Sequence, residues 1–246
     1  MSNVRFGKLP RKNDFRTLRL RTYLSAALPA PPAQFDVLPR VYENLNQADP
    51  AVLFPMDGND TLGDCTIAGV AHAMTVWSAM VRRLSIMDQA AVVKLYLHLS
   101  GGLDTGLVEL DVLNYWRKTP INGESILAFA SIDPHNHDHI KQAISLFGGV
   151  YLGFQVQQDC LSDFDAGRPW TPGPLTPHGH CVFATGYDAN SLTVLTWGAT
   201  QKATWDWCDA CVDEAYGILG PEAKAADFDP GFNFAQLMAD LDAVAN

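Results

Sequence analysis

Residues 59–81 read NDTLGDCTIAGVAHAMTVWSAMV, and this stretch decides the fold. From Asp64 onward the apolar residues fall at Ile67, Val70, Ala71, Met74, Trp77 and Val81, the three-and-four spacing of a helix that buries one stripe. Asp64 takes the N-cap position, where a carboxylate accepts the first free amide hydrogens. Cys65 then falls in the first turn. A thiol there feels the positive end of the helix dipole and the free N–H groups, both of which favour thiolate. A free cysteine also serves as a small buried hydrophobe, so position alone leaves nucleophile and core residue open. Ala68, Gly69, Ala71 and Ala73 keep the helix slim, as suits one packed centrally between other elements.

Outward from this helix the period changes once. Upstream, residues 36–60 read as short extended pieces ending in a run dense in turn formers, Phe54-Pro55-Met56-Asp57-Gly58-Asn59-Asp60. Residues 1–35 are basic, then proline-rich, and form an arm without a sustained period. Downstream, 88–99 and 108–118 repeat the helical spacing. The second half then alternates: strands at 125–132 and 150–156 flank a helix at 137–147, and a long proline-rich loop covers 157–177. A hairpin pairs 180–187 with 192–197, a further strand lies at 214–219, and a helix at 234–244 closes the chain. Helices first and antiparallel strands afterwards predict an α+β protein: a helical lobe at about 60–124, a β lobe at about 125–220, and a helical extension at 221–246. A cleft between two such lobes is a natural ligand site.

Composition narrows the function classes. Of 246 residues 48% are apolar, enough to fill a core, while 17 basic residues against 27 acidic give a net charge of −10. That balance argues against a nucleic-acid backbone as partner. The positive charge is nonetheless concentrated, with Arg5, Lys8, Arg11, Lys12, Arg16, Arg19 and Arg21 all in the first 21 residues. Such an arm reads first as solvated or loosely docked and second as a site for an anionic partner, with a strap across one lobe or over part of the cleft as a further hypothesis. No run approaches the roughly 18 to 20 apolar residues of a membrane span, and the N-terminus lacks a signal-peptide core. The expectation is a cytoplasmic protein without a membrane partner. Five scattered cysteines, Cys65, Cys160, Cys181, Cys208 and Cys211, do not form a disulfide framework, so at least one thiol is expected free.

Two clusters read as structural. Cys208 and Cys211 have C-x-x-C spacing but neither a thioredoxin-like context nor a second ligand pair, and His135, His137 and His139 fit a polar helix start better than a metal site. His180, a lone histidine at a strand start, reads first as structural as well, with a second reading in chemistry. It opens a strand after Gly179, and it can take the thiol proton if the fold brings it across the cleft to Cys65. His178 competes for that role from the proline-rich loop.

These residues resemble the papain-like cysteine peptidase superfamily, as a divergent member of bacterial or phage type. In that family an oxyanion-hole glutamine stands six residues before a nucleophilic cysteine at the head of a central helix, and Asn59 stands six before Cys65. The family's histidine strand reads roughly His-Ala-Val-x-x-x-Gly-Tyr. Here His180-Cys181-Val182-Phe183-Ala184-Thr185-Gly186-Tyr187 follows it, and Leu195-Thr196-Trp197-Gly198 stands where Asn-Ser-Trp-Gly is expected. Cys65 and His180 lie 115 positions apart (180 − 65), fewer than the roughly 130 to 150 of the papain and cathepsin branch. Asparagine replaces the glutamine, and the cysteine that usually precedes the nucleophile is absent. Aligning on Trp197-Gly198 puts Leu195 at the position that orients the histidine, whereas counting sixteen residues from His180 puts Thr196 there. Only the threonine hydroxyl can accept from an imidazole.

The resemblance implies a papain-like fold and a cysteine-dependent hydrolase, a peptidase or amidase working through a thioester acyl-enzyme without cofactor or metal. Cys65 would attack, His180 move the proton, Thr196 orient His180, and Asn59 with the Cys65 amide bind the oxyanion. Gly63, Asp64, Gly179 and Trp197 would line the substrate cleft, bordered by the loop around Trp170. The substrate partner is then a peptide or amide. Two other outcomes fit the same residues: a catalytically impaired binding or structural module, and a transamidase or acyltransferase on the same dyad.

Overall fold

The slim helix forms where its spacing places it, and the chain builds around it. The computed structural model describes residues 4–224, 228 and 231–245; residues 1–3 of the arm and 225–227, 229–230 and 246 of the C-terminal extension lie outside the described residues. After a single 3-10 turn at Leu20–Thr22 come β1 (Phe35–Asp36), α1 (Leu38–Leu45), α2 (Pro50–Leu53), α3 (Cys65–Met80), α4 (Gln89–Leu99) and α5 (Glu109–Lys118). The second half adds β2 (Ala128–Ile132), α6 (His137–Phe147), β3 (Val150–Gln157), α7 (Cys160–Asp165) and β4 (Leu175–Tyr187). It ends with β5 (Ser191–Thr196), β6 (Ala199–Thr204), α8 (Trp205–Cys211), β7 (Val212–Leu219) and α9 (Phe234–Ala245).

Three segments depart from the sequence reading. Residues 36–60 carry α1 and α2 instead of extended pieces, each started by an aspartate and a first-turn proline. Asp36 accepts from the Leu38 amide at 3.0 Å and Asp49 from the Ala51 amide at 2.9 Å. Pro39 and Pro50 sit in first turns, where a missing N–H costs nothing. Within the expected loop at 157–177, α7 forms and β4 starts at Leu175, five residues before His180. The unanticipated β6 is an edge strand whose Thr200 and Lys202 face outward, so its sequence reads as polar.

The sheet runs β2-β7-β3-β4-β5-β6 with antiparallel neighbours, and β1 pairs with the end of β4. Its period of two divides the interior. Val150, Leu152, Phe154, Val182 and Ala184 face one core with Trp170, Trp207 and the helices α6 and α9. Tyr151, Cys181, Phe183, Leu195 and Tyr216 face a second core built on α3, α4 and α5. Helix α3 lies directly against this second face, held at its start by the Tyr151 hydroxyl donating to the Thr66 carbonyl at 2.7 Å. Gly69 lets the Tyr151 ring approach, since a Cβ there would stand 2.8 Å from it.

The arm is docked at Gly7, Lys8, Leu20 and Tyr23, which corrects its reading as a solvated or loosely attached segment there, while Arg5, Arg11, Lys12, Arg16, Arg19 and Arg21 are exposed as expected. Leu20 and Tyr23 are buried in the first core, and Tyr23 donates to Asp240 of α9 at 2.9 Å. Farther upstream the arm enters the cleft as a short extended strap that bridges the two lobes. Lys8 N–H donates to the Gly179 carbonyl at 3.1 Å, Leu9 N–H to the Leu107 carbonyl at 2.9 Å, and the Leu107 N–H to the Gly7 carbonyl at 2.8 Å.

The first core depends on an aromatic group in which Trp207 packs on Phe154 and Trp170 at centroid distances of 4.8 and 5.4 Å. Replacing the fully buried Trp207 by alanine is expected to cost about 3 to 5 kcal/mol of stability, measured by denaturant unfolding. A loss below about 1 kcal/mol would contradict this packing.

Candidate active site

Helix α3 delivers Cys65 and strand β4 delivers His180 to one small cavity. That cavity is lined also by Met56, Asn59, His72, Thr196 and Trp197, and holds about 10 Å³, roughly the room for one water. His180 Nε2 lies 2.9 Å from Thr196 Oγ1. Its Nδ1 is buried without a hydrogen-bond partner. The ring stacks on Trp197, with centroids 4.6 Å apart at 26°, and meets Phe154 edge-on. Leu195 also borders the cavity, but it packs in the helical core and offers no group to bond the ring.

Asn59 is held on all sides. Its Oδ1 accepts from the Trp197 indole at 2.8 Å, and its Nδ2 donates to the Leu62 and Arg5 carbonyls, each at 3.0 Å. The Arg5 carbonyl belongs to the strap, so one amide hydrogen of Asn59 is directed at the occupant of the cleft. Gly63 and Gly179 frame that occupant. A Cβ on Gly7 would stand 1.7 Å from the Gly63 carbonyl oxygen, and one on Gly179 would stand 2.5 Å from that of Lys8. Phe6 stacks on the exposed His178 and meets His180 and Trp197 edge-on.

Two expectations for this region change. Asp64 occupies the N-cap position of α3, but its carboxylate makes no capping bond, is wholly buried, and does not line the cavity. Burial, reinforced by Asp57, pushes its pKa up to about 8, so it sits behind Gly58 as a largely protonated acid. Trp170 does not border the cleft either: its indole donates to the Cys160 carbonyl at 3.0 Å from within the first core.

The helix start does not by itself activate Cys65. Burial pushes the thiol up to about 12, although main-chain hydrogen bonds from Gly7 and Cys181 pull the other way. Burial likewise lowers His180 to about 3, with His72 adding to the shift. Under the strap both groups are therefore neutral at pH 7. All five cysteines are free, including Cys208 and Cys211 on α8. In the histidine cluster, His137 approaches Asp209 at 2.8 Å and stacks on Trp205, while Asn136 caps α6.

The sequence reading missed His72, the strap residues and two buried carboxylates. Glu109 lies on the buried stripe of α5 with Val112, Leu113 and Trp116, and Glu214 alternates with the buried Tyr216 and Ile218 in β7. An acid at a core-facing position was the available signal.

No protein-family model and no curated sequence matches the chain. Solved structures do. It is similar to xylellain, a cysteine protease from Xylella fastidiosa, with a TM-score of 0.67, 15% identity, and coverage of 89% of this chain and 97% of that one. Procathepsin B S9 from Trypanosoma congolense gives 0.65, 13%, 89% and 87% in the same order. A cysteine protease from Carica candamarcensis, solved with E-64, gives 0.54, 13%, 76% and 98%. The fold is that of the papain-like cysteine proteases.

The thiol shift sets an expectation for the intact chain. Thiolate is the reactive form, and its fraction at pH 7 falls about tenfold per unit of pKa. A Cys65 near 12 should alkylate on the order of a thousand times slower than a free thiol of pKa about 8.5. Iodoacetamide labelling of the native chain, with Cys65 followed by peptide mapping, checks this; labelling at the free-thiol rate would contradict the buried state.

Proposed function

We propose that the chain is a papain-like cysteine hydrolase, a peptidase or amidase whose cleft is covered by its own N-terminal strap. The observation that carries this reading is the meeting of Cys65, His180, Thr196 and Asn59, drawn from four separate segments, around one cavity. With Nε2–H donating to Thr196, the His180 ring presents the lone pair of Nδ1 for the thiol proton. Thr196 thereby does the orienting work that asparagine does in the family.

The reaction then balances as follows. Cys65 loses its proton to His180, and the thiolate sulfur bonds to the substrate carbonyl carbon. The carbonyl electrons move to oxygen, where the Cys65 N–H and the Asn59 amide stabilise the charge. Collapse breaks the C–N bond, and the imidazolium protonates the departing amine. Water, deprotonated by His180, attacks the thioester and releases the acid and the thiol. An amine in place of water would make the same intermediate a transamidase step.

The strap excludes this chemistry while it is seated. Gly7 packs against Gly63 beside the buried Cys65, and the Arg5 carbonyl occupies the Asn59 donor. Removing it rehydrates both members of the dyad, which relieves the burial that keeps them neutral.

Gly7→Val should displace the strap, because the Cβ has no room beside Gly63. The variant is expected to label at Cys65 at least about tenfold faster than the native chain and to cleave internally quenched peptides. In that background Cys65→Ala should abolish cleavage. Asn59→Ala should lower kcat about 100-fold, and Thr196→Val about tenfold, the worth of one hydrogen bond. A displaced strap and a rapidly labelled Cys65 with no cleavage of any peptide or amide would overturn the hydrolase reading.

A further inference from the structure

The strap fills more than the space above Cys65. The Lys8 side chain, 1% exposed, turns down from the cleft with Nζ at 2.9 and 3.0 Å from the Asp213 carboxylate oxygens and 3.0 Å from Glu214 Oε1. Glu109 stands beside it, wholly buried, and no hydrogen bond reaches either of its carboxylate oxygens. The floor of the pocket is Gly153, paired with Glu214 on one side and Cys181 on the other. A Cβ at Gly153 would stand 2.1 Å from Lys8 Cε and 2.5 Å from Glu109 Oε1. The sheet is thus hollowed at the one place where the lysine stem passes, and the hollow ends in carboxylates.

The pocket opens from the cleft at a fixed distance from the nucleophile. Gly7 lies against Gly63, two residues before Cys65, and the next residue, Lys8, bonds the Gly179 carbonyl immediately before His180. Main-chain groups make these seating contacts, so another extended peptide can make them too. Only the side chain in the pocket is selected. A neutral or acidic occupant would leave Glu109 and Glu214 buried without a cation, a penalty that discriminates more sharply than added contact does.

We propose that this pocket is the side-chain recognition site of the cleft and selects a lysine or arginine next to the substrate residue that lies over Cys65, with Lys8 as its resident stand-in. The substrate class rests on the hydrolase reading; the charge preference of the pocket does not. The pocket therefore admits a test by binding as well as by turnover.

The full-length Gly7→Val chain, strap displaced, is labelled at Cys65 with iodoacetamide in the presence of an acetylated peptide of residues 4–12. Parallel reactions use the same peptide with norleucine or glutamate at the Lys8 position. The lysine peptide is expected to protect at about tenfold lower concentration than the norleucine peptide, and the glutamate peptide not to protect. Glu109→Gln and Glu214→Gln, made singly and together and checked for native circular dichroism, should bring lysine and norleucine within about twofold. If the double variant does not fold, either single variant reads the same convergence. Equal protection by lysine and norleucine peptides on the Gly7→Val chain overturns the proposal and leaves Lys8 as a structural clamp only.

Internally quenched peptides carrying lysine, norleucine or glutamate in turn at each position around the scissile bond then separate the two readings. Lysine protection without any cleavage would sink the hydrolase and leave the pocket. Cleavage without charge preference would sink the pocket and leave the hydrolase.

Discussion

Two carboxylates at core-facing positions place the strongest demand on this structure. Glu109 comes from the buried stripe of a helix and Glu214 from the buried face of a strand, and burial raises both above the ordinary carboxylate range while Lys8 draws them back. Desolvation opposes the charge on Lys8 as well, yet Glu109, Glu214 and Asp213 together hold it protonated. Breaking such a buried cluster by removing one partner typically costs about 3 to 5 kcal/mol, because the remaining charges are left uncompensated. The cluster thus ties the arm to the fold: with Glu109 and Glu214 already buried, losing Lys8 leaves them without a cation.

The same contact sets the surroundings of Cys65 and His180. Seating Lys8 fixes Gly7 over Cys65 and Phe6 against His180 and Trp197, so the thiol and the imidazole are dehydrated together. Dehydration disfavours the charged form of each, and an ion pair between them would lose the solvent that supports it. The rest of the site is preformed around the strap. Asn59 is pinned by Trp197 and Leu62, and Gly63 by the Asp104 carboxylate, which also accepts from Tyr96 at 2.6 Å. Access to Cys65 and His180 therefore requires displacement of the strap, whereas Asn59 and Gly63 are already held in place.

Much of the fold was legible because its period is local. The spacing after Asp64 gave α3, the alternation after Gly179 gave the main strand, and the order of helices before strands gave the class. What escaped was set by tertiary contact. Residues 36–60 read as short extended pieces, yet Asp36 and Asp49 accept the first amide hydrogens of α1 and α2. Asp64 has the chemistry of a cap, but its buried neighbours leave it protonated and unbonded. The arm read as solvated because seven cations in 21 residues suggest exposure, and its partners, Glu109 and Glu214, lie about 100 and 200 residues away in the chain. Acids on otherwise apolar faces were the visible half of that pair.

The choice between Leu195 and Thr196 shows why register outranks motif. Phe183 pairs with Leu195 across β4 and β5, so both face the helical core, and Thr196 falls on the opposite face. His180 shares the parity of Val182, which lies on that opposite face. A two-residue turn then reverses the chain, with Trp197 and Gly198 at φ of 48° and 75° between Thr196 and Ala199. Both residues with positive φ match the tight hairpin turn whose twist suits the flanking strands, and a tryptophan rarely takes that conformation. Its indole bond to Asn59 and its stack on His180 hold it there. The left-handed turn thus connects Asn59 to His180 through a single ring. The Trp-Gly motif marks that turn, and counting along the strand from His180 marks the hydroxyl the turn leaves facing the imidazole.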